Sequence, residues 1–141
     1  MKNIAKILHY NEIKIGSKYS FSRTITSEDV NDYSILTGDQ NPLHVNEKFA
    51  KKSQFGKNIV HGMLTASLFS TLVGMYCPGQ NSLYLGQTLK FKMPLFYNET
   101  VLVSGIVLRK VDALKIIIMS TEITRGHDLI ISGEAQIQFI E

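Results

Sequence analysis

A chain of 141 residues makes one domain with a substantial core and leaves no length for two. Apolar residues at 44% and charged residues at 19% mark a globular protein lean in charge, a leanness that suits partial cover by a second subunit. The net charge of +3 comes from Lys and Arg scattered along the chain, which suits a small anionic ligand and excludes a nucleic-acid-binding stripe.

The lone cysteine, Cys77, excludes an internal disulfide and fits a reducing cytosol. No stretch approaches the roughly 18 apolar residues that span a bilayer. The opening run Met1 to His9 has its short apolar patch broken by Lys6 and lacks a small-residue cleavage site, so it reads as a poor signal peptide. Residues 1–15 are expected to be a lead-in, and residues 16–141 a single domain.

Lys18 to Ile25 alternates aromatic or β-branched residues with polar ones, which predicts a strand. Thr26 or Ser27 then caps a helix with Glu28 and Asp29 in its first turn, where carboxylates favour the positive end of the dipole. Val30, Tyr33, Ile35 and Leu36 are expected to face inward, and Gly38 stops the helix after Thr37. Asn46 caps a short helix over residues 47–52, with Phe49 and Ala50 on its buried side. Met63 to Met75 is apolar nearly all round, interrupted only by small hydroxyls. Such a helix belongs in the middle of the protein, with Gly62 at its head and Pro78-Gly79 at its exit.

Everything after it reads as strand. In Ser82 to Met93, Leu83, Leu85, Leu89, Phe91 and Met93 point one way, and Tyr84, Thr88, Lys90 and Lys92 the other. Strands over 100–109, 114–124 and 129–140 follow, joined by turns at 111–113 and 125–128. One long apolar helix followed by an antiparallel run implies an α+β architecture, a sheet wrapped around that helix.

The chemistry concentrates in Tyr33 to His44. Asn41 and Pro42 continue as a turn after Gly38, because Pro42 cannot extend a helix and pushes Asn41 to an extended conformation. His44 follows Asp39 by five residues on a loop that Pro42 stiffens. A carboxylate and an imidazole so placed can share one water, the carboxylate taking a proton and the imidazole giving one. On composition alone the same stretch is a helix-terminating loop with a surface histidine.

Its context decides between the two. The aromatic Tyr33, then Gly38-Asp39-x-Asn41-Pro42-Leu43-His44, then the small Ala50 resembles the signature of the MaoC-like, R-specific enoyl-CoA hydratases. Two further blocks, Ile59-Val60-His61-Gly62-Met63-Leu64 through Ser70 and Tyr84-Leu85-Gly86-Gln87 through Pro94, resemble that family in the same order. The resemblance spans roughly residues 15–140 and leaves the lead-in unmatched.

It implies a hot-dog fold, an antiparallel sheet around one long buried helix with a catalytic overhang segment. It also implies addition of water to trans-2-enoyl thioesters, or the reverse dehydration. Asp39 and His44 would hold the water that delivers oxygen to C3 and a proton to C2 on one face. The unpaired N–H of Gly62, first residue of the central helix, would take the developing enolate oxygen. Ser70 matches a family serine near the carboxylate, and its hydroxyl is expected to bond either Asp39 or the carbonyl one turn back. Asn41 is expected to order the loop.

By the same resemblance the protein takes an acyl-CoA or acyl-carrier-protein thioester, works as a homodimer in the cytoplasm, and needs no cofactor, CoA being part of the substrate. No nucleic acid and no membrane is implied. Two other readings share the fold: a thioesterase, whose carboxylate directs water at the thioester carbonyl without needing His44, and a non-catalytic acyl-thioester-binding module.

The remaining candidates are weaker. His61 could line the pocket but reads first as structural, and His9 and His127 as solvated. The absence of an HExxH or paired-cysteine spacing argues against a metal. Cys77 has no neighbouring base. Lys51, Lys52, Lys57, Lys90, Lys92, Arg109 and Lys110 read mostly as solvated charges, some available to CoA phosphates.

Overall fold

Strict alternation in the second half of the chain decides the architecture. In the structure, a computed structural model describing Lys2 and residues 4–141, a six-stranded sheet is built from β1 (Lys18–Thr24), β2 (Ser82–Gln87), β3 (Lys90–Phe91), β4 (Thr100–Val111), β5 (Ile116–Arg125) and β6 (Asp128–Phe139). Met1 and Asn3 of the expected lead-in lie outside the described residues. The order is β1-β4-β5-β6-β2, with β3 also on β6, and the paired strands are antiparallel. Register pairs Phe21 with Val103, Val103 with Ile123, and Ile123 with Ile131, which lines apolar residues along one face. Residues such as Ser104, Glu122, Glu134 and Gln136 take the other face.

The helical run crosses the apolar face. It comprises α4 (Gly62–Ala66), α5 (Leu68–Thr71) and a wider π turn over Leu72–Tyr76. Phe69, Leu72 and Val73 are fully buried against the sheet. One core cluster gathers Phe21, Val30, Phe69, Leu72, Ile123 and Ile131. A second, toward the other end, gathers Tyr10, Val73, Cys77, Met119, Ile137 and Phe139. This is the hot-dog fold, an antiparallel sheet around a central helix. Among the described residues no helix is long and apolar enough to cross a membrane.

Three shorter helices form the overhang: α1 (Ser27–Thr37), α2 (Pro42–Val45) and α3 (Glu47–Lys51). Thr26 caps α1 reciprocally with Asp29, and Asn46 caps α3 through the Phe49 N–H at 2.9 Å. Tyr10 and Ile13, within the lead-in, are buried in the second cluster. Lys110 Nζ donates to their two carbonyls and lies over the Tyr10 ring, so it is bound rather than solvated.

Several apolar residues lie where the sequence did not put them. Val30 is buried and Tyr33 half-buried as expected, but Ile35 and Leu36 are 66% and 84% exposed. Phe49 is half exposed while Ala50 beside it is buried. The expected strand over 82–93 is broken at Thr88-Leu89 into β2 and β3, and Leu83, Leu85, Phe91 and Met93 stand exposed at that sheet edge; Leu89 packs on the first core cluster. The central run is not buried all round either, because Met63, Ser67 and Ser70 form an open stripe. Helical and strand periodicity identify an apolar face, but say nothing of whether this chain itself covers it.

Candidate active site

The site is assembled from the exit of α1 upward. Gly38 adopts a left-handed conformation at φ 81°, and its N–H bonds the Ser34 carbonyl at 2.9 Å, ending the helix. The chain then turns on itself. Asp39 Oδ1 accepts the Asn41 N–H at 3.2 Å, and Asn41 Oδ1 accepts the Leu43 N–H at 3.0 Å, capping α2 with Pro42 at its first position.

That single turn of helix carries His44. Its Nδ1 lies 2.9 Å from the Ile59 carbonyl, and since a carbonyl only accepts, Nδ1 bears the proton and Nε2 is the nitrogen left to exchange one. The turn is anchored from behind. Asn58, buried, donates through its amide to the carbonyls of Leu43 at 2.9 Å and Asn46 at 3.2 Å, and the Tyr97 hydroxyl donates to the His44 carbonyl.

His61 completes the cluster. It is 2% exposed, its Nε2–H donates to the Asp39 backbone carbonyl at 3.0 Å, and its ring stacks on His44 with centroids 3.9 Å apart. Tyr33 packs on His61 at 4.7 Å. One nitrogen or oxygen from each of Asp39, His44 and His61 lies within 4.8 Å of the others. Two hydrogen bonds of about 2.8 Å to one water reach across such a gap. The Asp39 side chain is 53% exposed, so solvent reaches the pair. The donor types would also suit a transition metal. However, the two imidazoles lie within 29° of parallel, which sets their in-plane lone pairs side by side instead of converging on one ion.

Gly62 directly follows His61 and heads the helical run, so its N–H has no carbonyl of a preceding turn to bond. It forms part of the wall of an apolar cavity of about 500 Å³, together with Phe55, Ile59, Met63, Phe91 and Met93; Lys92 is the charged residue in that wall. The cavity adjoins the cluster through Ile59 and Gly62, while Asp39 and His44 lie outside its lining. A Cβ on Gly62 would sit 2.8 Å from the Phe91 ring, which only glycine avoids.

Of the residues singled out in the sequence, Asp39, Asn41 and His44 are thus brought together on one loop. Ser70 is not joined to them. It lies on the open stripe of the helix, and among the described residues its hydroxyl bonds neither Asp39 nor a carbonyl one turn back; the burial that motivated that expectation is absent in the single chain. Cys77 is buried, which pushes its thiol up to about 11 and leaves it a poor nucleophile. His9 is exposed and bonds Glu141 at 2.8 Å. His61, read from the sequence first as structural, is buried in the cluster, and Asn58 and Tyr97 were not singled out. The available signal was His-Gly at a helix start; for the other two, contacts 12 and 53 residues away leave no local pattern.

A fold of this kind with a carboxylate–imidazole loop ahead of the central helix defines a class, and the comparisons agree. The MaoC-like domain model matches residues 11–126. The chain belongs to the MaoC-like family. It is 38% identical over 132 residues to an (R)-specific enoyl-CoA hydratase of Rhodospirillum rubrum, covering 93% of this chain and 92% of that one. It is 39% identical over 127 residues to the (R)-specific enoyl-CoA hydratase of Aeromonas caviae, covering 89% and 95%. Among solved structures, the Aeromonas caviae (R)-hydratase superposes with a TM-score of 0.88 at 38% identity, covering 91% of this chain and 98% of that one. The unliganded R-hydratase of Pseudomonas aeruginosa superposes at 0.91 with 30% identity, covering 97% and 88%.

Proposed function

We propose that this protein is an R-specific enoyl-CoA hydratase, a hydro-lyase that adds water to trans-2-enoyl thioesters and, in reverse, dehydrates R-3-hydroxyacyl thioesters. The observation that carries this reading is the Asp39–His44 pair, held within reach of one water on a loop ordered by Asn41. The near-full-length likeness to enzymes of that name supports it.

In the forward direction the water oxygen adds to C3 while its proton passes to the Asp39 carboxylate. His44, entering as the imidazolium with its Nδ1–H on the Ile59 carbonyl, gives its Nε2 proton to C2 on the same face and is left neutral, and transfer of the proton from Asp39 to Nε2 through solvent resets the pair. The negative charge that builds on the thioester oxygen meets the Gly62 N–H; loss of one such donor in other enzymes costs about 3 kcal/mol. Ser70 supports the carboxylate only once a second chain covers the stripe on which it stands.

The reading extends to assembly and setting. Two copies joined at the β2 edge would cover Leu83 and Leu85 and the open stripe of the helix, with CoA bound near the junction. Residues 16–141 form the single domain and residues 1–15 a lead-in, in which Tyr10 and Ile13 are packed into the domain's second core cluster. The substrate is an acyl-CoA or acyl-carrier-protein thioester, CoA enters as part of it, and no separate cofactor, metal, nucleic acid or membrane takes part. A cytoplasmic location fits the free Cys77 thiol.

Crotonyl-CoA tests the activity. A hydratase bleaches the enoyl absorbance and yields R-3-hydroxybutyryl-CoA without releasing thiol. Release of free CoA thiol would identify a thioesterase, and binding without either change a non-catalytic module.

A further inference from the structure

We propose that His61 is the positioning residue of the Asp39–His44 pair, setting Asp39 by a hydrogen bond to its backbone carbonyl and the His44 imidazole by a stack. The inference rests on the hydratase reading of that pair and adds to it a residue that neither touches substrate nor exchanges a proton.

Few restraints hold Asp39. Its own N–H bonds Thr37 Oγ1 at 3.2 Å, and its Oδ1 serves Asn41, both within the loop. Among the described residues, the hydrogen bond from His61 Nε2 to the Asp39 carbonyl, at 3.0 Å, is the one that reaches residues 38–41 from outside the segment 34–44. His44, by contrast, is held by Ile59 at its ring and by Asn58 and Tyr97 at its backbone turn. Without His61 the backbone of Asp39, and the half-exposed carboxylate it carries, is tied only to its own turn.

His61 also carries an uncompensated cost. The Asp39 carbonyl can only accept, so it fixes the proton of His61 on Nε2. Among the described residues, that leaves Nδ1 as a buried lone pair with no partner. A buried unpaired polar atom is destabilising. A phenylalanine would fill the same place between Tyr33 and His44 and stack as well, without that cost. What it cannot do is donate to the Asp39 carbonyl. Placement of reacting groups is steep enough to explain the choice, since a misplacement of about 1 Å lowers a rate by roughly 100-fold.

The experiment compares His61→Phe and His61→Gln in the crotonyl-CoA assay, with Asp39→Asn and His44→Asn alongside. Gln extends an N–H about as far as Nε2 does. Expected for His61→Phe is a kcat lowered roughly 10- to 100-fold with KM within about twofold, and for His61→Gln recovery to within about fivefold of the unsubstituted enzyme. A purely packing role would favour Phe over Gln. Long-range proton–nitrogen spectra of the unsubstituted protein should show neutral His61 with its proton on Nε2. Unchanged kcat in His61→Phe, Gln no better than Phe, or the proton on Nδ1 would overturn the inference. Should His61→Phe fail to give a cooperative melt, the Gln variant and the spectrum decide alone. If Asp39→Asn and His44→Asn keep full activity, the reading of the pair falls and the positioning role with it. If they are inactive while His61→Phe is not, only the role of His61 falls.

Discussion

At the scale of single residues, the account makes Asp39 and His44 unequal partners in one step, each with its own hydrogen-bonded environment. Asp39→Asn and His44→Ala should each lower kcat by about 10²–10⁴-fold while the protein still folds, as a melting curve would check; neither side chain is part of the core. A thioesterase would survive the loss of His44. Gly62→Ala tests a different contact. Its Cβ would meet the Phe91 ring at 2.8 Å, and that half-exposed ring can swing into the cavity it lines. A several-fold rise in KM is expected, relieved in the double variant with Phe91→Ala, both read by steady-state kinetics. The placing of Asp39 and His44 on one loop was legible in the sequence because Gly38, Asn41 and Pro42 announce that loop. The contact that His61 makes with Asp39 was not, because it spans 22 residues of sequence. The exposure of Ser70 was not legible for the opposite reason: burial was inferred for a helix whose stripe this chain leaves open.

At the scale of elements, the loop is as good as its helix ends. Gly38 takes φ 81°, which a residue with a Cβ enters at a cost of about 1–2 kcal/mol, so Gly38→Ala should lower stability by that much. Asn41→Ala removes the cap of α2 and should cost about 1 kcal/mol, with a larger fractional loss of activity because His44 rides on the same turn. Denaturant titrations and kinetics on both variants check these together. The strands were the most legible elements. The alternation that predicts strands over 100–109, 114–124 and 129–140 matches β4, β5 and β6 to within two residues at each end. The break at Thr88-Leu89 was not legible, since the apolar alternation runs straight through it. The inward placement of Ile35 and Leu36 failed because four apolar or aromatic residues on α1 exceed what one buried side accommodates; Ser34 is buried in their stead.

At the scale of the molecule, buried weak acids tie stability to pH. Burial pushes Tyr10 up to about 12, helped by its bond to Asp112, and Tyr84 also up to about 12; Cys77 rises to about 11. The folded protein therefore keeps protons that the unfolded chain has released above pH values near 9 to 10. Their contribution is whole below that range and is lost as pH rises toward 12. Denaturation midpoints should fall steadily from about pH 9 upward, and Cys77 should resist alkylation near neutral pH until the protein unfolds. The lead-in belongs to this scale as well. Nothing local in residues 1–15 foretold that Tyr10 and Ile13 enter a core cluster formed with residues near the far end of the chain.

The central claim is that a water held between Asp39 and His44 supplies the oxygen, and His44 the proton, from the same side. Hydration of crotonyl-CoA in deuterium oxide, followed by NMR of the isolated product, reads this directly. The account predicts a single deuteron at C2 on the face that received the hydroxyl, in a product of R configuration at C3. A deuteron on the opposite face, or an S product, would contradict it.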